Sequence, residues 1–214
     1  MTLHEPATLA TDYVLTALSA GCAWRLRRIA APTNLPGRWW GRALAFTAAG
    51  SFAGGSWHGF QAGLPASVAS LLWLTAMLLL GLTSAAMMLA LVHELAPPAA
   101  RTVWANIVWL KFSAFTAVAL FHSEYIVVIC DYGSAMLMLA ACAALTRRRW
   151  RPWMLGAVGL SVLAALIQQL RWAPAPWFNH NDLYHLVQGL AIWLFFLGGQ
   201  RLGSNPKIHP DSSC

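Results

Sequence analysis

Seven apolar runs occupy most of this 214-residue chain. A transmembrane α-helix needs roughly 20 consecutive apolar residues. The side chains are 58% apolar and 10% charged, whereas soluble domains average roughly 45–50% and about 25%. The sequence therefore predicts an all-α integral membrane bundle of seven transmembrane helices. The predicted spans are residues 8–24, 43–62, 66–92, 103–121, 125–145, 153–170 and 183–197.

The basic residues predict how such a bundle is oriented. Twelve of the 14 Lys and Arg residues fall on one side of a seven-span chain, while Arg171 falls opposite and Lys111 lies inside the fourth span. Because cytoplasmic connections are enriched in Lys and Arg, the N-terminus is predicted outside and the C-terminus inside. The net charge of +7 is then explained by orientation. The predicted partner is membrane lipid, and no nucleic-acid partner is predicted.

The domain organisation is simple, because no repeat, linker or second domain is evident. Residues 1–202 are predicted to form one transmembrane domain, and residues 203–214 a flexible polar cytoplasmic tail. The high Arg, Ala and Trp content is typical of a GC-rich bacterial genome. We therefore predict a bacterial inner (plasma) membrane location.

Polar and ionisable side chains gather toward the predicted outer ends of the spans. Such groups are costly inside a bilayer and often mark functional positions. In the first span Glu5, Thr8 and Asp12 have the spacing of one helix face. Asp131 lies about two helical turns down the fifth span. The residues predicted to line a polar cavity are Asp12, Lys111, His122, Glu124, Asn181 and Gln188.

The histidines suggest a metal site. Three histidines around an open position are a catalytic zinc geometry, and zinc activates a bound water while polarising a carbonyl. We predict His58, His180 and His185 as the metal ligands. Asp131 is the predicted base or supporting carboxylate, with Asp182 as its rival. The structural alternatives are an ion pair of Asp131 with Lys111 and a helix-capping role for Asp182.

These residues resemble a known superfamily, the alkaline ceramidases, adiponectin/progestin receptors and hemolysin-III-like proteins (CREST). That superfamily carries a Ser and a His near the end of helix two, an Asp on helix three and an HxxxH at the start of helix seven. His58 and the segment HNDLYH match in position, whereas Gly54 replaces the Ser and Asn181 the first paired His. The third span has no Asp. The resemblance implies a zinc-dependent hydrolase acting on a lipid amide or ester.

Three other functional classes stay open from the residues alone. Asp12, Lys111, Glu124 and Asp131 describe a half-membrane polar path, as in a non-enzymatic transporter or receptor. His58 and His122 lie at similar depth and offer axial ligands to a haem. A structural membrane protein without a small-molecule site would explain the small residues of the second span.

Overall fold

A computed structural model describes residues 3–175 and 177–203. Within these ranges the chain forms seven α-helices, one short 3-10 turn and no strand beyond an isolated bridge between Ala175 and Phe178. The all-α prediction is therefore confirmed, while Pro176 and all but the first residue of the predicted tail lie outside the described residues. The helices are α1 (Pro6–Ile29), α2 (Leu35–Phe60), α3 (Ala66–Leu95), α4 (Pro98–Phe121), α5 (Tyr125–Leu145), α6 (Arg151–Gln169) and α7 (His180–Gly199).

The helix bounds follow the apolar runs with systematic extensions. α3 begins at Ala66 and α5 spans Tyr125–Leu145, as predicted. α1 continues to Ile29 and α2 starts at Leu35, so both include the arginines beyond their apolar parts. Arginine is a good helix former, and hydropathy marks only the apolar part of a helix.

Four of the helices in the described part of the chain, α3 to α6, are long and apolar enough to cross a membrane. This finding is consistent with an integral membrane protein. α1 and α2 are also long, but they carry arginines, hydroxyl residues and glycines that lower their hydropathy.

Six helices form a closed ring, and α4 lies outside it. α2 packs against α1 and α3, α5 packs against α3 and α6, and α7 packs against α6 and α1. α4 packs chiefly on α3. Its buried side chains are Val108, Phe115 and Ala119. The interior of the ring is therefore the natural place for a site.

One half of the ring is filled by a close-packed core. Trp40 and Phe195 are 1% and 2% exposed. The Trp40 indole N–H donates to the Phe195 carbonyl at 2.9 Å, and the two rings meet edge to face. A Cβ at Gly199 would lie 2.3 Å from Trp40 Cδ1, so this crossing requires a glycine. This contact lies near the start of α2 and the end of α7, whereas His58 and His185 lie near the opposite ends of these helices.

Glycines bring α2 unusually close to α1. A Cβ at Gly55 would lie 2.6 Å from Asp12 Cβ, and one at Gly59 would lie 2.8 Å from Leu9 Cδ2. Small residues four apart permit such close helix contact in membranes. The contact carries His58, near the end of α2, to the first turns of α1.

Candidate functional site

A cavity of about 240 Å³ lies inside the ring, where α1 and α7 begin and α2 ends. Five helices contribute its polar wall residues, because alternating helix directions bring these ends to one face. The cavity is the main meeting point of the predicted polar positions. Its polar wall residues are Asp12, Ser51, His58, Tyr125, Gln168, Asn181, Tyr184 and His185.

His185 contacts α1 through both of its ring nitrogens. Nδ1 lies 2.9 Å from Thr11 Oγ1, and Nε2 lies 3.2 Å from Asp12 Oδ1. His185 is 8% exposed and Asp12 is 4% exposed. The two contacts fix the imidazole between α7 and the first turns of α1.

His58 is held by an acidic residue from the start of α1. Its Nδ1 lies 2.5 Å from Oε2 of Glu5, the residue that precedes α1. A carboxylate that accepts from Nδ1–H selects the tautomer whose Nε2 carries no proton. Among the described residues, no hydrogen bond engages Nε2 of His58. This nitrogen is therefore available as an acceptor or base beside the cavity.

Two tyrosines add hydroxyl donors to the same cavity. Tyr125 Oη and Tyr184 Oη are 3.1 Å apart. Two hydroxyl groups carry two protons, and the bond between them uses one. The second proton remains for another acceptor, such as a ligand oxygen. Gln168 adds a carboxamide oxygen that is buried without a partner in the described part of the chain.

Asp182 supports the start of α7 and is not part of the cavity wall. The Asn179 side chain accepts from the backbone N–H of Asn181 and Asp182, and Asp182 accepts from the backbone N–H of Asn179. Thr8 Oγ1 also donates to Asp182 Oδ1 at 2.9 Å. This is a capping box, so Asp182 occupies the structural role that the sequence offered as an alternative.

His180 is separated from the other two predicted metal ligands. It is the first residue of α7 and does not line the cavity that His58 and His185 share. A spacing of five residues turns two positions by about 140° on a helix. Across residues 3–175 and 177–203, no group of three or more His, Cys, Asp or Glu side chains is arranged to hold a metal ion. The donor set of the described residues therefore does not fit the predicted zinc site.

Asp131 pairs with Lys111 away from the histidines. Lys111 Nζ lies 2.5 Å from Asp131 Oδ1 and donates to Ser84 Oγ at 2.8 Å. These residues belong to α5, α4 and α3, and Asp131 and Lys111 line a groove of about 430 Å³ between α4 and α5. Asp131 thus adopts the ion pair that the sequence offered as its structural alternative.

The predicted half-membrane polar path is divided in the structure. Asp12 lines the histidine cavity, whereas Lys111 and Asp131 line the groove beside α4. His122 and Glu124 flank the α4–α5 connection and are exposed. These five residues therefore lie in three separate environments.

A larger apolar chamber of about 530 Å³ adjoins the histidine cavity. The chamber and the cavity share the wall residues Leu15, Ser51, Leu80 and Tyr125. The predicted residue Gln188 lines the chamber instead of the histidine cavity. The arrangement places apolar space directly beside polar groups. The chamber is lined mainly from α5 and α6, including Val128, Ile129, Met136, Val158, Val162 and Ala165.

Sequence reasoning missed the partners of the histidines. Glu5 was recognised as part of the polar face of α1, but its contact with His58 spans 53 positions and leaves no local pattern. Tyr125 and Tyr184 stand at the starts of α5 and α7. Tyrosine at a span end is also typical of a membrane interface. Its position in the sequence therefore does not predict that it lines a cavity.

The family to which the chain belongs is shown by its sequence. Residues 7–204 match a family of unknown function, DUF6962. The chain belongs to this family. The matched region includes every polar wall residue of the cavity, and Glu5 lies just before it. No curated protein and no solved structure shows significant similarity to the chain.

Proposed function

We propose that the protein is a membrane hydrolase that cleaves an ester or amide bond of a lipid-like substrate. The observation that carries the proposal is the Glu5–His58 pair, at 2.5 Å, in the wall of a cavity that adjoins an apolar chamber. The resemblance to the CREST superfamily supports the same type of bond.

His58 Nε2 acts as the general base. It takes a proton from water while Glu5 holds Nδ1–H and stabilises the imidazolium, the arrangement of a base oriented by a third group. The water oxygen attacks the carbonyl carbon and forms a tetrahedral intermediate. His58 then returns the proton to the leaving oxygen or nitrogen, and the products are a carboxylic acid and an alcohol or amine.

The tyrosine hydroxyls stabilise the negative charge that develops on the carbonyl oxygen. Tyr125 and Tyr184 offer one proton beyond their mutual bond. A donor aimed at the developing oxyanion is commonly among the larger contributions to acyl-transfer catalysis. The Asp12–His185 pair is a further polar part of the cavity wall and orients polar groups of the substrate.

The apolar chamber selects an amphipathic substrate. A hydrocarbon chain placed there leaves water, which contributes roughly 0.8 kcal/mol per buried CH₂ group. The bond to be cleaved would then lie next to His58, because the chamber and the cavity share walls.

We further propose seven spans, with the N-terminus and the histidine cavity outside and the C-terminus in the cytoplasm of a bacterium. The support is the charge distribution, since Arg27 and Arg28 lie in the last turn of α1, at the end far from Glu5. Single cysteines introduced at Thr2 and at Ser204, in a variant without the native cysteines, test this orientation. An impermeant maleimide on intact cells should label the Thr2 position, and labelling of the Ser204 position instead would contradict the topology.

The activity test uses purified full-length protein and a panel of N-acyl amides and acyl esters, with products identified by mass spectrometry. We expect His58→Gln and Glu5→Gln to lose hydrolysis, while His122→Gln, an exposed control, retains it. Lipid binding without turnover would instead identify a receptor or carrier.

The role of zinc is tested by elemental analysis of the same preparations. Because the donor set does not fit a three-ligand site, we expect activity to persist after chelation. Stoichiometric zinc that disappears in both His58→Ala and His185→Ala would support the resemblance and overturn the metal-free mechanism.

A further inference from the structure

A second polar cavity, of about 260 Å³, lies at the opposite end of the bundle from His58 and His185. Its wall is built from the α1–α2 connection, the end of α3, the start of α4 and the α5–α6 connection. The proposed hydrolase uses none of these residues. The polar groups that decide its chemistry are Asn34, His93, Glu94, Arg101 and Arg148.

Arg148 is the first reason to assign a ligand to this cavity. It is the central residue of three consecutive arginines, and it is half-buried in the cavity wall while Arg147 and Arg149 are exposed. Among the described residues, no side-chain hydrogen bond, ion pair or ring contact engages its guanidinium. A half-buried guanidinium without a protein partner can offer its five N–H donors to a ligand in the cavity.

Arg101 supplies further donors to the same space, and His93 adds an unpaired ring nitrogen. Arg101 Nε donates to the Ala96 carbonyl at 3.1 Å, which orients the guanidinium and leaves its two terminal NH₂ groups for another acceptor. His93 Nδ1 is buried and has no hydrogen-bond partner in the described part of the chain. Unpaired nitrogen groups from three elements thus meet in one cavity.

Glu94, the acid among the described residues of this wall, does not satisfy these donors. Glu94 accepts from Trp150 Nε1 at 3.0 Å and from the Gly203 backbone N–H at 2.8 Å. Within the described ranges, no ion pair joins Glu94 to Arg101 or Arg148. Glu94 links α3 to its neighbours, and the described wall residues, with two guanidinium groups and one carboxylate, give the cavity a net positive charge.

We infer that this cavity binds a phosphate group, supplied by the headgroup of an anionic phospholipid. Guanidinium groups bind phosphate oxygens in a bidentate manner. Basic pockets between transmembrane helices at the cytoplasmic surface bind anionic headgroups. On the proposed topology, this cavity lies at the cytoplasmic end of the bundle, where lipid headgroups would meet it.

The ligand would bridge the end of α3, the start of α4 and the α5–α6 connection. Arg148 precedes α6, Arg101 belongs to the first turn of α4, and His93 belongs to the last turn of α3. A phosphate bridging these residues stabilises the folded state by mass action, because the unfolded chain does not present them together. Thermal stability is therefore a direct readout of binding, independent of any hydrolase activity.

The experiment measures thermal unfolding of the delipidated full-length protein in a neutral detergent. Phosphatidylglycerol, phosphatidylcholine and inorganic phosphate are added at matched concentrations. We expect phosphatidylglycerol to raise the unfolding midpoint and the other two to have little effect. An equal shift with inorganic phosphate would overturn the lipid as the source, and no shift with either anion would overturn the site.

Matched arginine variants distinguish a built site from diffuse charge attraction. Arg148→Gln should weaken phosphatidylglycerol binding about ten-fold, as expected for loss of one charge-assisted contact, whereas Arg147→Gln should not. Arg148→Lys keeps the charge but removes the guanidinium group that binds phosphate in a bidentate manner. It replaces Arg148→Gln in this test if the Gln variant does not fold. Equal losses in the Arg147 and Arg148 variants would overturn the proposal.

Discussion

Lys111 Nζ lies 2.5 Å from Asp131 Oδ1, and this ion pair links the peripheral helix α4 to α5 of the ring. Lys111 stands near the middle of α4, far from either end. Its ammonium group also donates to Ser84 on α3. The contact therefore joins three helices, and α4 is long and apolar enough to cross a membrane, where an unpaired charge would be costly.

Removing one partner of this pair should destabilise the protein strongly. Asp131→Asn leaves the Lys111 ammonium uncompensated, and breaking a buried pair in this way costs about 3–5 kcal/mol. The double variant Lys111→Met/Asp131→Leu removes both charges and should be closer to the wild type. Denaturant unfolding in detergent measures the coupling, with Lys111→Met and Asp131→Leu also measured singly, and additive effects of these two substitutions would contradict the pair.

The crossing of α7 over α2 should be intolerant of any side chain at Gly199. Gly199→Ala places a Cβ 2.3 Å from the ring of Trp40, which is fully buried. We expect a loss of about 1–3 kcal/mol, as for other overpacked cores. Gly159→Ala is the control, since a Cβ there meets no atom within 4 Å. Equal stability of the two variants in the same unfolding assay would contradict this prediction.

The helices could be predicted because the features that define them, apolar runs and prolines, are local in the sequence. Pro65 precedes α3 and fixes its start at Ala66, and hydropathy located each apolar run. The predicted site was brought together in part, since His58, His185, Asp12 and Asn181 all line one cavity. Alternating span directions are sufficient to predict that meeting.

The remaining contacts depend on helix rotation and tilt, which a single sequence does not encode locally. His180 and His185 differ by five positions, so a regular helix directs them apart. The sequence is compatible with Asp131 beside the histidines or in an ion pair with Lys111. The rotation of α5 directs its side chain to Lys111. The Glu5–His58 contact depends on the close approach that Gly55 and Gly59 allow.

The cap of α7 should contribute stability that a neighbouring amide does not. Asn179→Ala removes the acceptor for the first backbone N–H groups of α7, and loss of such a cap costs about 1 kcal/mol. Asn181→Ala changes the same side-chain type two positions on without touching the cap. A smaller unfolding midpoint shift for Asn179→Ala than for Asn181→Ala would contradict the capping assignment.

Filling the apolar chamber should restrict the protein to substrates with shorter hydrocarbon chains. Gly133 lines the chamber on α5, and a Cβ there meets open space. Gly133→Phe should therefore fit without disturbing the fold while occupying volume needed by a hydrocarbon chain. Under the proposed function, we expect hydrolysis of long-chain substrates to fall at least ten-fold, while short-chain substrates are little affected.

The matched control for this experiment is Gly159→Phe on α6. Gly159 is exposed and also has open space around its Cβ, but it does not line the chamber. A Phe there adds the same apolar surface toward the surroundings of the bundle. If both variants lost activity on long-chain substrates equally, the loss would come from the added aromatic ring itself. The chamber would then not hold the hydrocarbon chain of the substrate. If Gly133→Phe lowered short- and long-chain hydrolysis alike, the chamber would influence the His58 site without selecting chain length.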